Sequence, residues 1–75
     1  MRLIEIEQNT WVQVTGVKGG RGLQEKLIQY GFFIGDRVRV LRRAPLGGPL
    51  LIEVSGREMA LGRGVAEKIE VEFLP

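Results

Sequence analysis

The chain has 75 residues, with 11 basic and 9 acidic side chains, a net charge of +2, and neither cysteine nor histidine. A chain this short carries one core and buries only about 60% of the surface its unfolded form exposes, which disfavours deep, multi-residue active sites. No disulfide can form, the ligands that zinc favours are absent, and the small charge imbalance neither demands nor excludes an acidic partner.

Leu3 to Glu7 alternates apolar and acidic residues, as an edge strand or a short clasp would. Its two acids also break the apolar run that a signal peptide needs, and no stretch reaches the ~20 apolar residues of a membrane span, so the expectation is a soluble cytoplasmic protein. Asn9-Thr10 is turn chemistry, because asparagine tolerates left-handed backbone angles. Thr10 to Val17 predicts the first strand, with Val12 and Val14 alternating with Gln13 and Thr15. A glycine-dense loop, Gly16 to Gly22, follows. Leu23 to Tyr30 then predicts the one helix: Leu23, Leu27 and Tyr30 share a face, and Gly31 stops it by taking the left-handed cap angle. Phe32 is placed to fold back on the helix end.

Gly35-Asp36 opens a second strand, Arg37 to Arg43, with Val38 and Val40 on one face and Arg37 and Arg39 on the other. The segment Ala44-Pro45-Leu46-Gly47-Gly48-Pro49 must leave the ladder, since proline cannot donate to it. Leu50 to Val54 predicts a strand, Ser55-Gly56 a tight hairpin turn, and Glu58 to Leu61 the return strand. After Gly62-Arg63-Gly64, Val65-Ala66-Glu67 suits a single helical turn. Ile69 to Phe73 closes the chain, with Ile69, Val71 and Phe73 facing in and Glu70 and Glu72 facing out. About five short strands with one helix after the first predict a mainly β, SH3-like small barrel, residues 1–75 forming a single domain. Trp11, Tyr30, Phe32, Phe33 and Phe73 are all assigned to core or cap positions.

These elements and their spacing resemble the FeoA family over nearly the whole chain. The likeness rests on Leu3, Ile6, Val14, Val17 and Gly20, on the run Lys26-Leu27-Ile28-Gln29-Tyr30-Gly31-Phe32-Phe33-Ile34-Gly35, and on Val38 and Val40. It continues through the loop Ala44 to Pro49 and then Ile52, Val54, Gly56, Ala60, Leu61, Ala66 and Ile69. The same module resembles the C-terminal domain of DtxR-like metal-dependent repressors. Asn9 stands where the family usually has glycine, Ile34 where it usually has proline, and Gly62 where arginine is frequent, with Arg63 beside it.

Chemistry-bearing groups are sparse. Glu5 with Glu7, and Glu70 with Glu72, would each share a face if their segments are strands, and could hold a hard divalent cation weakly; solvated strand faces explain them as well. No high-affinity metal site and no cofactor are expected. The glycine loop before the helix lacks the lysine-hydroxyl ending of a nucleotide-binding loop. Catalysis lacks a nucleophile–base pair, because serine occurs once, at Ser55, with no histidine or cysteine to activate it. Arg37, Arg39, Arg42 and Arg43 crowd one strand, which raises nucleic-acid binding as an alternative.

The resemblance implies a non-catalytic accessory or regulatory protein of ferrous iron uptake that binds the FeoB transporter near its cytoplasmic G-protein portion. The expected contact residues are Leu46, Gly47, Gly48, Phe33, Arg42 and Arg43, with Arg21 and Lys26 on the helix. Leu46 and Phe33 would be apolar anchors, and the cations would steer and pair. Self-association through the edge near Leu3 to Glu7 is a further expectation.

Overall fold

Alternate residues from every strand meet in one apolar core. In the computed structural model, which describes all 75 residues, the strands are β1 (Val12–Val17), β2 (Arg37–Arg43), β3 (Leu50–Val54), β4 (Arg57–Leu61) and β5 (Ile69–Phe73). Helix α1 (Arg21–Gln29) follows β1, and the one-turn helix α2 (Arg63–Ala66) precedes β5. All neighbouring strands are antiparallel, in the order β4-β3-β2-β1-β5. This is the mainly β, SH3-like barrel that the strand pattern predicts.

Val12, Val14, Val38, Val40, Leu50, Ile52, Val54, Ile69 and Val71 are all buried. No polar or charged residue joins them, so the core is held by apolar burial and shape alone. Val17 and Leu23 pack at its margin. The Ser55-Gly56 hairpin turn forms as expected, with φ values of 52° and 76° that match the right-handed twist of its strands. Asn9 also adopts the left-handed angle expected of it, at φ 67°.

The N-terminal segment is a clasp, but not a strand. Leu3–Glu5 forms a 3₁₀ turn that buries Leu3, with Ile6 buried just beyond it. Arg2 bridges to Glu70, and the Val71 amide donates to the Met1 carbonyl at 2.8 Å, so this segment covers the outer edge of β5. Spacing by three, rather than by two, is what puts Leu3 and Ile6 on one side. The Arg2 backbone and guanidinium both donate to the Glu5 carboxylate, at 2.9 and 3.0 Å, and hold its pKa below the usual carboxylate range.

The glycine loop is shorter than its composition suggests. Gly16 and Val17 stay in β1, Arg21 and Gly22 lie in α1, and Lys18 donates its amide to the Lys68 carbonyl at 2.7 Å. The helix therefore starts two residues early and ends at Gln29.

Of the aromatic side chains, Phe32 alone is core. Trp11, Tyr30, Phe33 and Phe73 are exposed, and Phe73 is 62% exposed although its spacing from Val71 placed it inward. β5 ends at Phe73, where the sheet stops, and no other element of the fold packs over that position.

Candidate docking surface

Helix α1 is nine residues long, a length at which a helix has marginal stability by itself. Its C-terminal end is built to compensate. The Phe32 amide donates to the Leu27 carbonyl and the Gly31 amide to the Ile28 carbonyl, both at 2.9 Å, which is the paired-bond pattern of a Schellman cap. Gly31 supplies the required φ of 79°. Leu27 and Phe32, the two residues that such a cap brings together, are both buried.

Arg57, at the start of β4, completes this end. Its Nη2 donates to the carbonyls of Tyr30 and Gly31 at 2.7 and 3.0 Å, bringing a cation to the negative end of the helix. The sequence pattern gave no sign of it, because the contact joins residues 27 apart.

With Leu27 the one buried residue of α1, the helix stands slightly off the barrel and leaves an apolar groove on each flank. The first, about 440 Å³, runs between α1 and β4 and is lined by Leu23, Leu27, Tyr30, Met59, Leu61 and Val65, with Lys26 at its rim. The second, about 290 Å³, lies on the other flank and includes Ile28, Phe33 and Ile34, all exposed.

The loop between β2 and β3 projects Leu46 fully into solvent, at φ 60°. A left-handed backbone costs an ordinary L-residue about 1–2 kcal/mol, and a fully exposed leucine recovers none of it from burial. Gly47 continues the turn at φ 72° and lies against Arg63 of α2. Gly62, next to Arg63, also lines the first groove, so the Leu46–Gly48 loop, α2 and the Lys26 rim form one continuous surface.

Phe33 does not join that surface. It precedes β2, whereas Leu46 follows it, and a seven-residue strand separates its ends by about 20 Å. The eight expected contact residues thus divide. Leu46, Gly47, Gly48 and Lys26 lie on the first-groove side, and Phe33 lies beside the second groove. Arg42, in register with Leu51 and then Ala60, belongs to the outer sheet face. Arg21 opens α1 and is exposed. Arg43 bends back to donate to the Ile6 carbonyl, which ties β2 to the N-terminal clasp and leaves it poorly placed to reach outward.

The basic cluster is similarly dispersed. Arg39 grips one Glu53 oxygen through Nε and Nη2 at 2.9 and 2.7 Å, and lies 4.9 Å from the centre of the Trp11 ring. Lys18 pairs with Glu70, Arg63 with Glu67 and Arg2 with Glu5. Arg21, Lys26, Arg37, Arg42 and Lys68 have no side-chain partner. Among the acids, Glu5 sits in a 3₁₀ turn, so it and Glu7 do not share a strand face. No three carboxylates come together as a metal-holding group. No helix is long and apolar enough to cross a membrane.

A family model described as the FeoA domain matches residues 1–73. The chain is 38% identical over 61 residues to a protein named Fe(2+) transport protein A in Methanocaldococcus jannaschii, covering 81% of this chain and 72% of that one. It is 30% identical over 74 residues to an Fe(2+) transport protein A/Fe(2+) transporter FeoB fusion protein of Porphyromonas gingivalis, covering 99% of this chain and 9% of the fusion. The solution structure of a FeoA protein from Chlorobium tepidum superposes with a TM-score of 0.89 at 32% identity, over 100% of this chain and 71% of that one. A manganese-dependent transcriptional repressor shares the fold, with a TM-score of 0.89 at 20% identity over 99% of this chain and 41% of the repressor.

Proposed function

This chain belongs to the FeoA family, a family associated with Fe(2+) transport, and on that premise we propose that it is a non-catalytic accessory module of ferrous iron uptake that docks on a FeoB-type transporter. The observation that carries this reading is the fusion relative, in which a segment like this chain shares one polypeptide with FeoB. Two modules made as one chain meet at high effective concentration, which favours a working contact between them. The proposed site of docking is the cytoplasmic G-protein portion of the transporter, which places this protein in the cytoplasm at the inner face of the membrane.

Leu46 is the proposed apolar anchor, displayed at the cost of backbone strain, with Gly47 and Gly48 letting a partner's backbone approach. Lys26, Arg21 and Arg42 have no internal partner and supply the steering charge. Phe33 would serve a second contact on the far flank of α1. Arg43 has a structural role, through Ile6.

Calorimetric titration against the FeoB protein of the same organism tests this reading, using the full transporter in detergent with and without guanine nucleotide. Saturable binding that Leu46→Asp weakens supports it. No heat from folded samples removes it.

Nucleic-acid binding is the second reading, and the exposure of Tyr30, Phe33 and Phe73 favours it more than the sequence did. Against it, the unpaired cations are dispersed, and Arg39 already covers Trp11. A gel shift at low salt that shows no complex disposes of it.

A further inference from the structure

The sheet has two outer edges, and they are treated differently. The outer edge of β5 is covered by Met1 and Arg2. The outer edge of β4 is bare. Val54 and Arg57 flank the two-residue Ser55-Gly56 turn, which makes them a hydrogen-bonded pair, and bonded pairs alternate along an antiparallel ladder. The amides and carbonyls of Arg57, Met59 and Leu61 therefore point to β3, while those of Glu58 and Ala60 point away. No backbone or side-chain group elsewhere in the protein meets them. Both residues are exposed and neither is proline; Glu58 carries the one charge of the two, and its side chain lies on the sheet face opposite Met59 and Leu61.

This bare edge runs along the first groove. A strand added to it would hydrogen-bond to Glu58 and Ala60 and set every second side chain on the same sheet face as Met59 and Leu61. Those side chains would enter the groove against Leu23, Leu27 and Val65. Lys26 lies at the rim without an acid of its own, and an incoming carboxylate would complement it.

We infer that the free edge of β4, together with the groove under α1, is a strand-addition site for an extended peptide segment with alternate apolar residues and an acidic residue opposite Lys26. The occupant is a segment of another protein rather than a second copy. In an antiparallel β4–β4 pair centred on Met59, Arg57 falls opposite Leu61. That would draw a guanidinium toward an apolar groove and away from the helix-end carbonyls it caps. The inference stands apart from the identity of the transporter partner, since it names a chemistry and not a protein.

Selection of a displayed library of random 12-residue peptides on the immobilised full chain tests it. The expected result is enrichment of sequences with alternating apolar residues and at least one acid. Ala60→Pro should weaken the enriched peptides about tenfold or more, by removing an outward amide that the ladder does not use. A melting curve for that variant close to the parent's establishes that it folds. Peptide binding should also slow hydrogen exchange at the Glu58 and Ala60 amides, and Lys26→Glu should lose the preference for an acid. Three results overturn the inference: no alternating motif is enriched, enriched peptides bind Ala60→Pro unchanged, or the two amides stay unprotected. A dimer in sedimentation that Ala60→Pro abolishes also overturns it, because the edge then belongs to a second copy.

Discussion

Gly31 and Leu46 both hold left-handed backbone angles, for opposite reasons. At Gly31 the angle closes a helix, and glycine removes the cost. A Cβ built there would lie 2.5 Å from Arg57 Nη2, so Gly31→Ala strains the backbone and also displaces the guanidinium that caps α1. The expected loss is about 1–3 kcal/mol, measured as a shift in the urea midpoint. Because both residues act on the same helix end, Gly31→Ala combined with Arg57→Ala should cost less than the sum of the two single changes. At Leu46 the strain is retained and the side chain gains no burial. Leu46→Asn should raise the melting temperature, since asparagine accepts this angle more readily, and should weaken transporter binding. A variant that is both destabilised and fully binding would contradict the role given to Leu46.

At the scale of elements, the strands were legible because each buries alternate residues, and the period of two fixes which side chain faces in. Gly31, Phe32 and the Ser55-Gly56 turn were legible because they rest on local backbone chemistry. What escaped the sequence is non-local. Arg57 reaches the helix end and Arg43 reaches Ile6 across long separations. A register shift between Val40 and Arg42 ends the alternation in β2 and leaves both following arginines exposed. By its pattern the N-terminal segment fits an edge strand or a clasp, and the three-residue spacing of Leu3 and Ile6 makes it a 3₁₀ clasp. That clasp carries its own prediction. Hydrogen bonds from Arg2 lower the Glu5 pKa in the folded chain, so the contribution of Glu5 is intact above the ordinary carboxylate range. It fades as the pH falls through that lowered value. The amide shift of Val71, which reports the bond to Met1, should move over that acid range, and Glu5→Gln should show the displaced position already at neutral pH.

For the molecule as a whole, the small net charge of +2 hides a sorting of its cations. Six of the basic side chains are engaged within the fold: Arg2, Lys18, Arg39 and Arg63 in ion pairs, Arg43 and Arg57 on backbone carbonyls. Arg21, Lys26, Arg37, Arg42 and Lys68 remain free, and Arg21 and Lys26 lie on the helix that borders both grooves. Charge of this kind acts at long range, before contact, whereas Leu46 and the grooves act only after desolvation. The two contributions should therefore separate kinetically. Raising the salt concentration shortens the screening length from about 10 Å at 0.1 M toward about 3 Å at 1 M, and should slow association with the transporter several-fold while leaving dissociation nearly constant. Arg21→Glu with Lys26→Glu should slow association further and reduce its dependence on salt. Leu46→Asp should instead speed dissociation, with association little changed. Surface plasmon resonance over a salt series measures both rates. Were salt to act mainly on dissociation, the charged side chains would lie inside the contact, and Leu46 would lose its place as the anchor.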